Sequence, residues 1–503
     1  MKNVVEYLER VATKNPNKIA VVDEFGKCTY EELLKLSQKA GTFLINEGAV
    51  RVPVIVFMDK SIDALATFLG IAYADSTYTL INPELPIQRI EKIDETLNTK
   101  FIVTDKEHLS LAKDVFKKKN IYLVDDLKKC RLNENRLAEV RKGFIDIDPL
   151  YTNFTSGSTG TPKGVSVCHR SVIEFIDIFT KEFNITKKDV MGNQAPFDFD
   201  VSVKDIYSAL CVGATLVIIP RRLFSSPAEL LDFICDHNVT TMVWAVSALC
   251  LISTFHGLDY RVPKQVNKIL FSGEVMPIKH LNKWMEALPK ATFVNLYGPT
   301  EITCNCTYHV IDRNREYEKY IPIGLPFENE RVMLLDENDK LITEPEQKGE
   351  ICVSGTCLAL GYFNNKEETE KHFTQNPLNK NYIELIYRTG DLGMYNKEKE
   401  LVFQGRKDFQ IKYNGHRIEL EEIEKAMMKV EGIERACCLF DEEKQRLYGF
   451  YVGTMEKAEL HTALKETLPV YMIPGILKQV DSMPLTKNGK IDRKELMAMV
   501  VKK

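Results

Sequence analysis

The sequence predicts an α/β protein: a large N-terminal domain with helices packed on mainly parallel sheets, and a small mobile α+β domain at the C-terminus. In residues 3–126, short apolar runs typical of buried strands alternate with segments of helical periodicity. The alternation resumes after a loop near residues 150–165 and continues to about residue 300. Beyond about residue 340 the strands lie closer together, between turns. We place the boundary near Arg406–Asp408, which gives domains of residues 1–407 and 408–503.

The large domain contains short strands rich in β-branched residues, and its clearest helix start is a capping box at Thr29 and Glu32 that opens a helix to about Asn46. The predicted strands are IAVVD (19–23), VPVIVFM (52–58), TLIN (79–82), FIVTD (101–105), IYLVDD (121–126), TTMVW (240–244), KILFS (268–272) and TFVNL (292–296).

The small domain is predicted to begin with a hairpin, because Asn414-Gly415 separates QIKY from HRIE. One apolar helix stripe follows at Leu420, Ile423 and Met427, and RACCLF and RLYGFYV form a second hairpin. A final helix is expected to end before Pro469, with PLTKNGKIDRKEL as a polar, turn-rich tail.

Composition excludes several classes of protein. Hydrophobic residues make up 44% and charged residues 27%, which is globular composition and unlike a disordered or coiled-coil chain. The net charge of −4 gives no reason to expect nucleic acid or membrane insertion. We expect no signal peptide, because Glu6, Glu9 and Arg10 interrupt the first twenty residues, and the sequence has no run of 18 apolar residues. The 12 cysteines lack zinc spacing and are expected to be buried thiols, so we expect a cytoplasmic protein.

The strongest local signal is the run TSGSTGTPKG at residues 155–164. Glycines allow backbone N–H groups to approach a polyanion, hydroxyls can donate to phosphate oxygens, and Lys163 supplies a positive charge. The run is not a Walker A loop, because no Gly-Lys pair in the chain is followed by Ser or Thr. It predicts a phosphate-binding loop of another kind.

This loop resembles the phosphate loop of the adenylate-forming (AMP-binding) superfamily, which includes acyl-CoA synthetases, luciferases and the adenylation domains of peptide synthetases. Further motifs resemble that superfamily in the same order along the chain. They are NLYGPTE (295–301), GEI (349–351), YRTGDLG (387–393), GRKDFQIK (405–412), GHRIELEEIE (415–424) and NGK (488–490).

The resemblance implies ATP and Mg²⁺ as cofactors, and it implies roles for particular residues. The ATP/AMP-binding residues it implies are Thr155, Ser156, Gly157, Ser158, Thr159, Lys163, Gly273, Glu274, Asn295, Tyr297, Gly298, Thr300, Asp391, Arg406 and Lys490. Tyr297 would stack on adenine, Asp391 would accept from the ribose hydroxyls, and Glu301 would hold Mg²⁺. The implied catalytic residues are Lys490, Thr300 and Glu301.

The reaction implied by the resemblance has two steps. A carboxylate attacks the α-phosphorus of ATP to give an acyl-adenylate, and a thiol then displaces AMP to give a thioester. The small domain would rotate between the steps about a hinge at Asp408. Lys490 would serve the first step, and Lys412 and Gly415 would face the site during thiolation.

Asp200 points to an amino acid as the carboxylate substrate. Amino-acid-activating members of the superfamily pair an aspartate at this position with the substrate's α-ammonium, and a carboxylate beside an apolar pocket needs such a cation. The alternative is that Asp200 caps a helix beginning near Ser202. The implied substrate-binding residues are Asp200, Val201, Leu270, Ser272, Leu296, Cys304 and Asn305, with Lys204 in the same pocket.

Four further runs narrow the resemblance: NQAPFDFDVSVKD (193–205), GEVMP (273–277), DFQIK (408–412) and LPVYMIP (468–474). Through them the chain most resembles, within the superfamily, D-alanine–carrier protein ligases, also called D-alanine–poly(phosphoribitol) ligases. These imply a small amino acid as substrate and a phosphopantetheinylated carrier protein as partner.

Six residues depart from that pattern: Asp75, Asn82, Ser272, Leu296, Cys304 and Asn305. The whole pocket partly resembles the serine-type pocket of peptide synthetases; it consists of Asp200, Val201, Lys204, Leu270, Ser272, Leu296, Cys304, Asn305 and Lys490. Three alternatives remain open: a stand-alone adenylation enzyme of a non-ribosomal peptide synthetase pathway, an acyl-CoA synthetase, and a catalytically inactive adenylate-binding protein.

Overall fold

The structure, a computed structural model, describes residues 1–157, 160–318, 320–442, 444–486 and 491–501. The chain divides into two compact units. The first consists of Met1–Pro83, Leu97–Asn153 and Val165–Lys407. The second joins Asp408–Lys503 to two short segments, Glu84–Thr96 and Phe154–Gly164. None of the helices in the described ranges has both the length and the apolar character that a membrane span requires.

The strands are short, and we number them in chain order. They are β1 (Ile19–Val22), β2 (Lys27–Thr29), β3 (Pro53–Phe57), β4 (Thr77–Leu80), β5 (Phe101–Thr104), β6 (Asn120–Leu123), β7 (Pro149–Thr155), β8 (Lys163–Cys168), β9 (Val190–Asn193), β10 (Thr215–Ile218), β11 (Thr241–Ala245), β12 (Lys268–Ser272), β13 (Thr292–Tyr297), β14 (Thr307–Val310), β15 (Leu325–Pro326), β16 (Glu330–Leu335), β17 (Leu341–Ile342), β18 (Lys348–Gly355), β19 (Gly361–Tyr362), β20 (Phe373–Gln375), β21 (Leu385–Tyr395), β22 (Leu401–Arg406), β23 (Gln410–Tyr413), β24 (His416–Glu419), β25 (Ile433–Asp441), β26 (Arg446–Gly453) and β27 (Ile476–Gln479).

The helices are numbered in the same way. They are α1 (Val5–Lys14), α2 (Tyr30–Asn46), α3 (Ile62–Tyr73), α4 (Ile87–Leu97), α5 (Leu109–Val115), α6 (Val124–Lys129), α7 (Glu134–Arg141), α8 (His169–Glu182), α9 (Val201–Val212), α10 (Pro227–Asp236), α11 (Val246–Thr254), α12 (Gly257–Tyr260), α13 (Ile278–Ala287), α14 (Lys366–His372), α15 (Leu420–Met428), α16 (Lys457–Lys465) and α17 (Arg493–Val501), with 3₁₀ turns at Arg221–Ser225, Thr300–Ile302 and Val470–Met472.

Three sheets organise the first unit. A nine-stranded sheet has the order β15-β14-β13-β12-β11-β9-β10-β1-β2, and its strands from β13 to β1 pair in parallel. A seven-stranded sheet has the order β19-β8-β7-β4-β3-β5-β6, with parallel pairing from β7 to β6. The third sheet, built on β16, β18 and β21, is antiparallel. The predicted α/β class with mainly parallel sheets is confirmed, with this antiparallel sheet added.

The second unit contains the β23–β24 hairpin and a sheet of order β25-β26-β27. Both predicted hairpins are present, and Leu420, Ile423 and Met427 are buried together in its core. The C-terminal tail is a correction, because the last four residues of the run predicted to be turn-rich, 493–496, begin the helix α17 (Arg493–Val501). In α17, Leu496 is fully buried against Cys437, Leu439 and Phe450, so tertiary packing stabilises a helix with little periodicity of its own.

Local signals correctly locate several elements of the first unit. The Thr29 side chain accepts from the Glu32 backbone N–H, Glu32 bonds back to Thr29, and α2 ends at Asn46 as predicted. The predicted strand at 121–126 is shorter than expected, since β6 ends at Leu123 and α6 begins at Val124. Acidic residues in the first turn of α6 favour helix there.

Candidate active site

Strands β12 and β13 place several predicted substrate residues on one face of the large sheet. They are neighbouring parallel strands, with Leu270 opposite Val294. Side chains alternate along a strand, so Leu270 and Ser272 point to the same face. Leu270 and Leu296 are both buried in one apolar cluster. Ser272 ends β12 at the carboxyl edge, where α/β sheets bind ligands.

Helix α9 carries Asp200 and Lys204. Asp200 occupies the N-cap position with helical backbone angles, and its side chain makes no capping hydrogen bond. The capping alternative is therefore not what the structure shows. Residues four apart lie on one helix face, so the Asp200 carboxylate and the Lys204 ammonium share a side of α9. Val201 is half-buried beside Asp200.

The ammonium of Lys204 contacts two predicted pocket residues. Its Nζ lies 2.6 Å from Asn305 Oδ1 and 3.4 Å from Ser272 Oγ. Lys204 is 1% exposed, and burial lowers the pKa of its ammonium below the usual range. The structure thus joins α9, the end of β12 and the segment after β13 around one buried cation.

The turn after β13 returns Cys304 and Asn305 to this group. Gly298 permits the return, because a Cβ there would lie 2.5 Å from the Asn305 Cα and 2.8 Å from the Cys304 carbonyl oxygen. Thr303 and Cys304 adopt positive φ values of 53° and 74°, which side chains rarely do. The Cys304 Sγ donates to the Asp200 carbonyl oxygen at 3.2 Å. Such strain is typical of functional segments.

Glu301 begins the same turn, in the 3₁₀ segment Thr300–Ile302. It is fully buried, and its Oε1 accepts a hydrogen bond from the Tyr362 hydroxyl at 2.7 Å. Thr300 is half-buried beside it. One oriented carboxylate oxygen is a suitable protein ligand for Mg²⁺, because the other ligands of this ion are usually nucleotide phosphates and water molecules.

Tyr297, Asp391 and Arg406 form a second polar group. The Tyr297 hydroxyl donates to Asp391 Oδ2 at 2.6 Å, and Arg406 Nη1 donates to Asp391 Oδ1 at 2.5 Å. Asp391 and Arg406 face each other across β21 and β22, and Asp391 is 1% exposed. Burial, followed by the charge of Asp391, raises the pKa of the Tyr297 hydroxyl well above its usual range. Tyr297 therefore stays protonated and orients the carboxylate.

Two other residues expected to bind the nucleotide form hydrogen bonds to backbone groups of the protein. Glu274 follows Gly273 after β12, and its carboxylate accepts from the Ser247 backbone N–H at 3.0 Å. The Asn295 amide donates to the Pro322 carbonyl oxygen at 2.9 Å. Both side chains thus hold main-chain atoms of other segments in place.

The phosphate loop connects β7 and β8 and lies in the second unit. Gly157 approaches the chain closely, since a Cβ there would lie 2.2 Å from the Thr161 carbonyl oxygen. The buried Thr155 Oγ1 has no hydrogen-bond partner among the described residues, which leaves a hydroxyl able to bind an anion. Lys163 is largely buried at the start of β8.

Contacts within the second unit also occupy part of this loop. The Ser156 hydroxyl donates to the Arg417 carbonyl oxygen at 2.8 Å, and the Gly157 N–H donates to Glu422 Oε2 at 3.3 Å. Glu422 Oε1 in turn lies 2.7 Å from Arg89 Nη1, a buried ion pair. The Gly157 N–H of this loop thus donates a hydrogen bond to a carboxylate oxygen.

The remaining predicted residues lie in the second unit or outside the described residues. Asp408 is exposed and accepts from the Gln410 N–H at 3.2 Å. Lys412 lies in β23, and Gly415 follows it in the hairpin turn. Ser158, Thr159 and Lys490 lie outside the described residues.

Sequence reasoning missed two positioning residues. Tyr362 orients the Glu301 carboxylate although the two residues are 61 positions apart in the sequence. The one distinguishing feature of Tyr362 is its position in the short strand β19. Lys60 donates to Asn193 Oδ1 at 3.0 Å and to the Gln194 carbonyl oxygen at 2.9 Å, which anchors the segment before Asp200. Burial lowers the pKa of the Lys60 ammonium to about 7.

Comparison with known proteins is consistent with this geometry. Bacitracin synthase 1 of Bacillus licheniformis is 34% identical over 98% of this chain, which spans only 9% of that protein. D-alanine--D-alanyl carrier protein ligase of Bacillus cytotoxicus is 32% identical over 99% of both chains. A solved NRPS protein containing adenylation and PCP domains superposes with a TM-score of 0.83 at 25% identity, covering 99% of this chain and 84% of that one.

The family follows from these matches. Residues 8–363 match the AMP-binding enzyme family, and residues 422–490 match the AMP-binding enzyme C-terminal domain. The chain belongs to the AMP-binding enzyme family. It is an ATP-dependent ligase of the AMP-forming type.

Proposed function

We propose that this enzyme activates an amino acid as aminoacyl-AMP and then transfers it to the phosphopantetheine thiol of a carrier protein. The main support for this proposal is the position of the Asp200 carboxylate. This carboxylate lies at the start of α9 and makes no capping bond. Asp200 is four residues before Lys204, so the two lie on one face of the helix. A carboxylate in this position can pair with the α-ammonium of an amino acid and has no comparable role toward a fatty acid.

The polar groups of the first unit suit the nucleotide half of this reaction. The Asp391 carboxylate, held by Tyr297 and Arg406, can accept from ribose hydroxyls. Thr300 can hydrogen-bond the α-phosphate, and Glu301 would hold Mg²⁺. When bound, Mg²⁺ would neutralise phosphate charge.

The loop residues Thr155, Ser156, Gly157 and Lys163 suit the phosphates, with Ser158 and Thr159 completing the run. Lys490 would stabilise charge as pyrophosphate leaves, an electrostatic role. Asp408 would be the hinge between the two steps. Lys412 and Gly415 would face the thiol during the second.

The names of two similar proteins support the carrier protein as partner. One is a D-alanyl carrier protein ligase that this chain matches over 99% of its length, and the other is an NRPS protein with adenylation and PCP domains. The sequence alone favours a small side chain, D-alanine or serine. We propose a cytoplasmic enzyme, because its substrates ATP and amino acids are found there.

The test is direct loading of a carrier protein. The enzyme, ATP, Mg²⁺ and an amino acid are incubated with a phosphopantetheinylated carrier protein, and the thioester is measured by intact mass. The apo-carrier and free coenzyme A are the matched controls. Loading of the holo-carrier alone supports the proposal, whereas preferential acylation of coenzyme A would contradict it.

A further inference from the structure

Among the described residues, the buried cation of Lys204 has no anion in direct contact. Within that part of the chain no carboxylate lies within 4.0 Å of its Nζ, and its hydrogen-bond partners are the neutral Asn305 amide and Ser272 hydroxyl. Burial lowers the pKa of the Lys204 ammonium, and the charges of Asp200 and Asp205, which raise it from beyond contact distance, do not outweigh that effect. Asp205 Oδ2 accepts a hydrogen bond from the Asn193 amide at 2.9 Å and does not contact Lys204 Nζ. A buried ammonium is costly unless an anion compensates it.

Asp200 does not supply that anion during the proposed reaction. Its carboxylate is the partner of the substrate's α-ammonium, so the two charges cancel each other. The substrate's α-carboxylate is consumed as it forms the bond to phosphorus. An alanine or serine substrate would therefore leave the Lys204 ammonium facing a methyl or hydroxymethyl group.

The placement of Lys204 explains how a side chain could reach it. Asp200 and Lys204 lie one helical turn apart on one face of α9. Side chains on one helix face tilt toward the N-terminus, so the Asp200 carboxylate and the Lys204 ammonium open onto the same pocket. An amino acid whose α-ammonium is held by Asp200 can therefore direct its side chain toward Lys204, and a terminal carboxylate would supply the contacting anion that Lys204 lacks among the described residues.

We propose that Lys204 recognises a carboxylate at the end of the substrate's side chain, so that the pocket selects aspartate or glutamate over alanine and serine. This inference rests on the proposed function and refines its substrate. Asn305 and Ser272 hold the ammonium in place as neutral partners. The pocket then contains two complementary charge pairs, Asp200 with the α-ammonium and Lys204 with the side-chain carboxylate.

The first measurement is amino-acid-dependent ATP–pyrophosphate exchange by the wild-type enzyme. The substrates are both enantiomers of alanine, serine, aspartate and glutamate, with asparagine and glutamine as neutral isosteres. We expect an acidic amino acid to exceed its amide and alanine by at least about tenfold in kcat/KM. Faster exchange with alanine or serine would overturn this inference and leave the proposed function intact. Exchange with no amino acid would contradict the proposed function itself.

Two variants test the role of Lys204. Lys204→Met keeps approximately the length of the side chain and removes its charge. We therefore expect the preference for acidic amino acids to disappear and kcat/KM for amino acids with uncharged side chains to rise. Asn305→Asp retains Lys204 and places a carboxylate where the Asn305 Oδ1 now lies 2.6 Å from the Lys204 Nζ. This internal anion should lower kcat/KM for acidic substrates more than for uncharged ones. Equal melting temperatures and unchanged KM for ATP are the folding controls. An acidic preference that persists in either folded variant would overturn the assignment.

Discussion

Replacing Gly298 by alanine should disrupt the amino acid pocket while leaving most of the fold intact. The new Cβ would lie 2.5 Å from the Asn305 Cα, 2.8 Å from the Cys304 carbonyl oxygen and 3.0 Å from the Cys306 nitrogen. Carbon atoms prefer about 3.5–4.0 Å, so the opposing backbone must move by roughly 1 Å. All of these neighbouring atoms are main chain, and no side chain can rotate away to relieve the overlap.

The expected cost has two parts. Overpacking of this kind typically destabilises a protein by about 1–3 kcal/mol. A displacement of about 1 Å in positioning residues can also lower activity by roughly 10²-fold. Asn305 anchors the Lys204 ammonium, so the second effect should appear mainly in the amino acid's kcat/KM.

The assay combines thermal unfolding with ATP–pyrophosphate exchange. Gly26→Ala is the matched control, because its Cβ would have no neighbour within 4 Å. We expect the control to match wild type and Gly298→Ala to lose about 10²-fold in kcat/KM for the amino acid. Exchange within threefold of wild type at an unchanged melting temperature would show that the pocket tolerates a Cβ at position 298.

The remaining predictions concern residues far apart in the chain. Lys490→Ala should lower adenylation by about 10²–10³-fold yet spare thiolation from a pre-formed aminoacyl-adenylate, and near-normal pyrophosphate exchange would contradict its role. Asp408→Pro should allow one half-reaction and block the other, because proline fixes φ near −65°; normal rates for both would place the hinge elsewhere. Burial lowers the pKa of His169 to about 4, below the roughly 6.5 of an unfolded histidine. The unfolded chain thus binds the extra proton, and stability should fall by about 3 kcal/mol as pH drops from about 6.5 to 4. His169→Gln should lessen this acid slope in urea unfolding at a series of pH values, and an identical slope would contradict the assignment.

Sequence patterns locate much of the fold because its signals are local. The capping box at Thr29 and the Asn414-Gly415 turn depend on neighbouring residues, and both elements are where they were predicted. Helix α17 was missed because its stability depends on Leu496 packing against β25 and β26, which no local pattern reveals. The antiparallel sheet around β18 is likewise defined by pairing between distant segments.

In the candidate site, too, some features follow from local sequence and others depend on tertiary contacts. The residues of the site could be named through motif resemblance, but their partners could not. Glu301 is oriented by Tyr362, and Asp391 is held by both Tyr297 and Arg406. The contact between Lys204 and Asn305 spans 101 residues. Such contacts depend on the tertiary fold, and the Lys204 contact changes the expected substrate.

We propose that Asp200 makes this an amino-acid-activating enzyme, and the decisive measurement compares each amino acid with its deaminated analogue. Pyrophosphate exchange would be measured for alanine against propionate, aspartate against succinate and glutamate against glutarate, with wild type and Asp200→Ala. Stranding one charge of a buried pair costs about 3–5 kcal/mol, so we predict that the amine raises wild-type kcat/KM by about 10²-fold or more for the accepted substrate. Asp200→Ala should largely abolish that preference, whereas KM for ATP stays the same. Equal wild-type activity on amino acids and their deaminated analogues would show that Asp200 does not bind the α-ammonium.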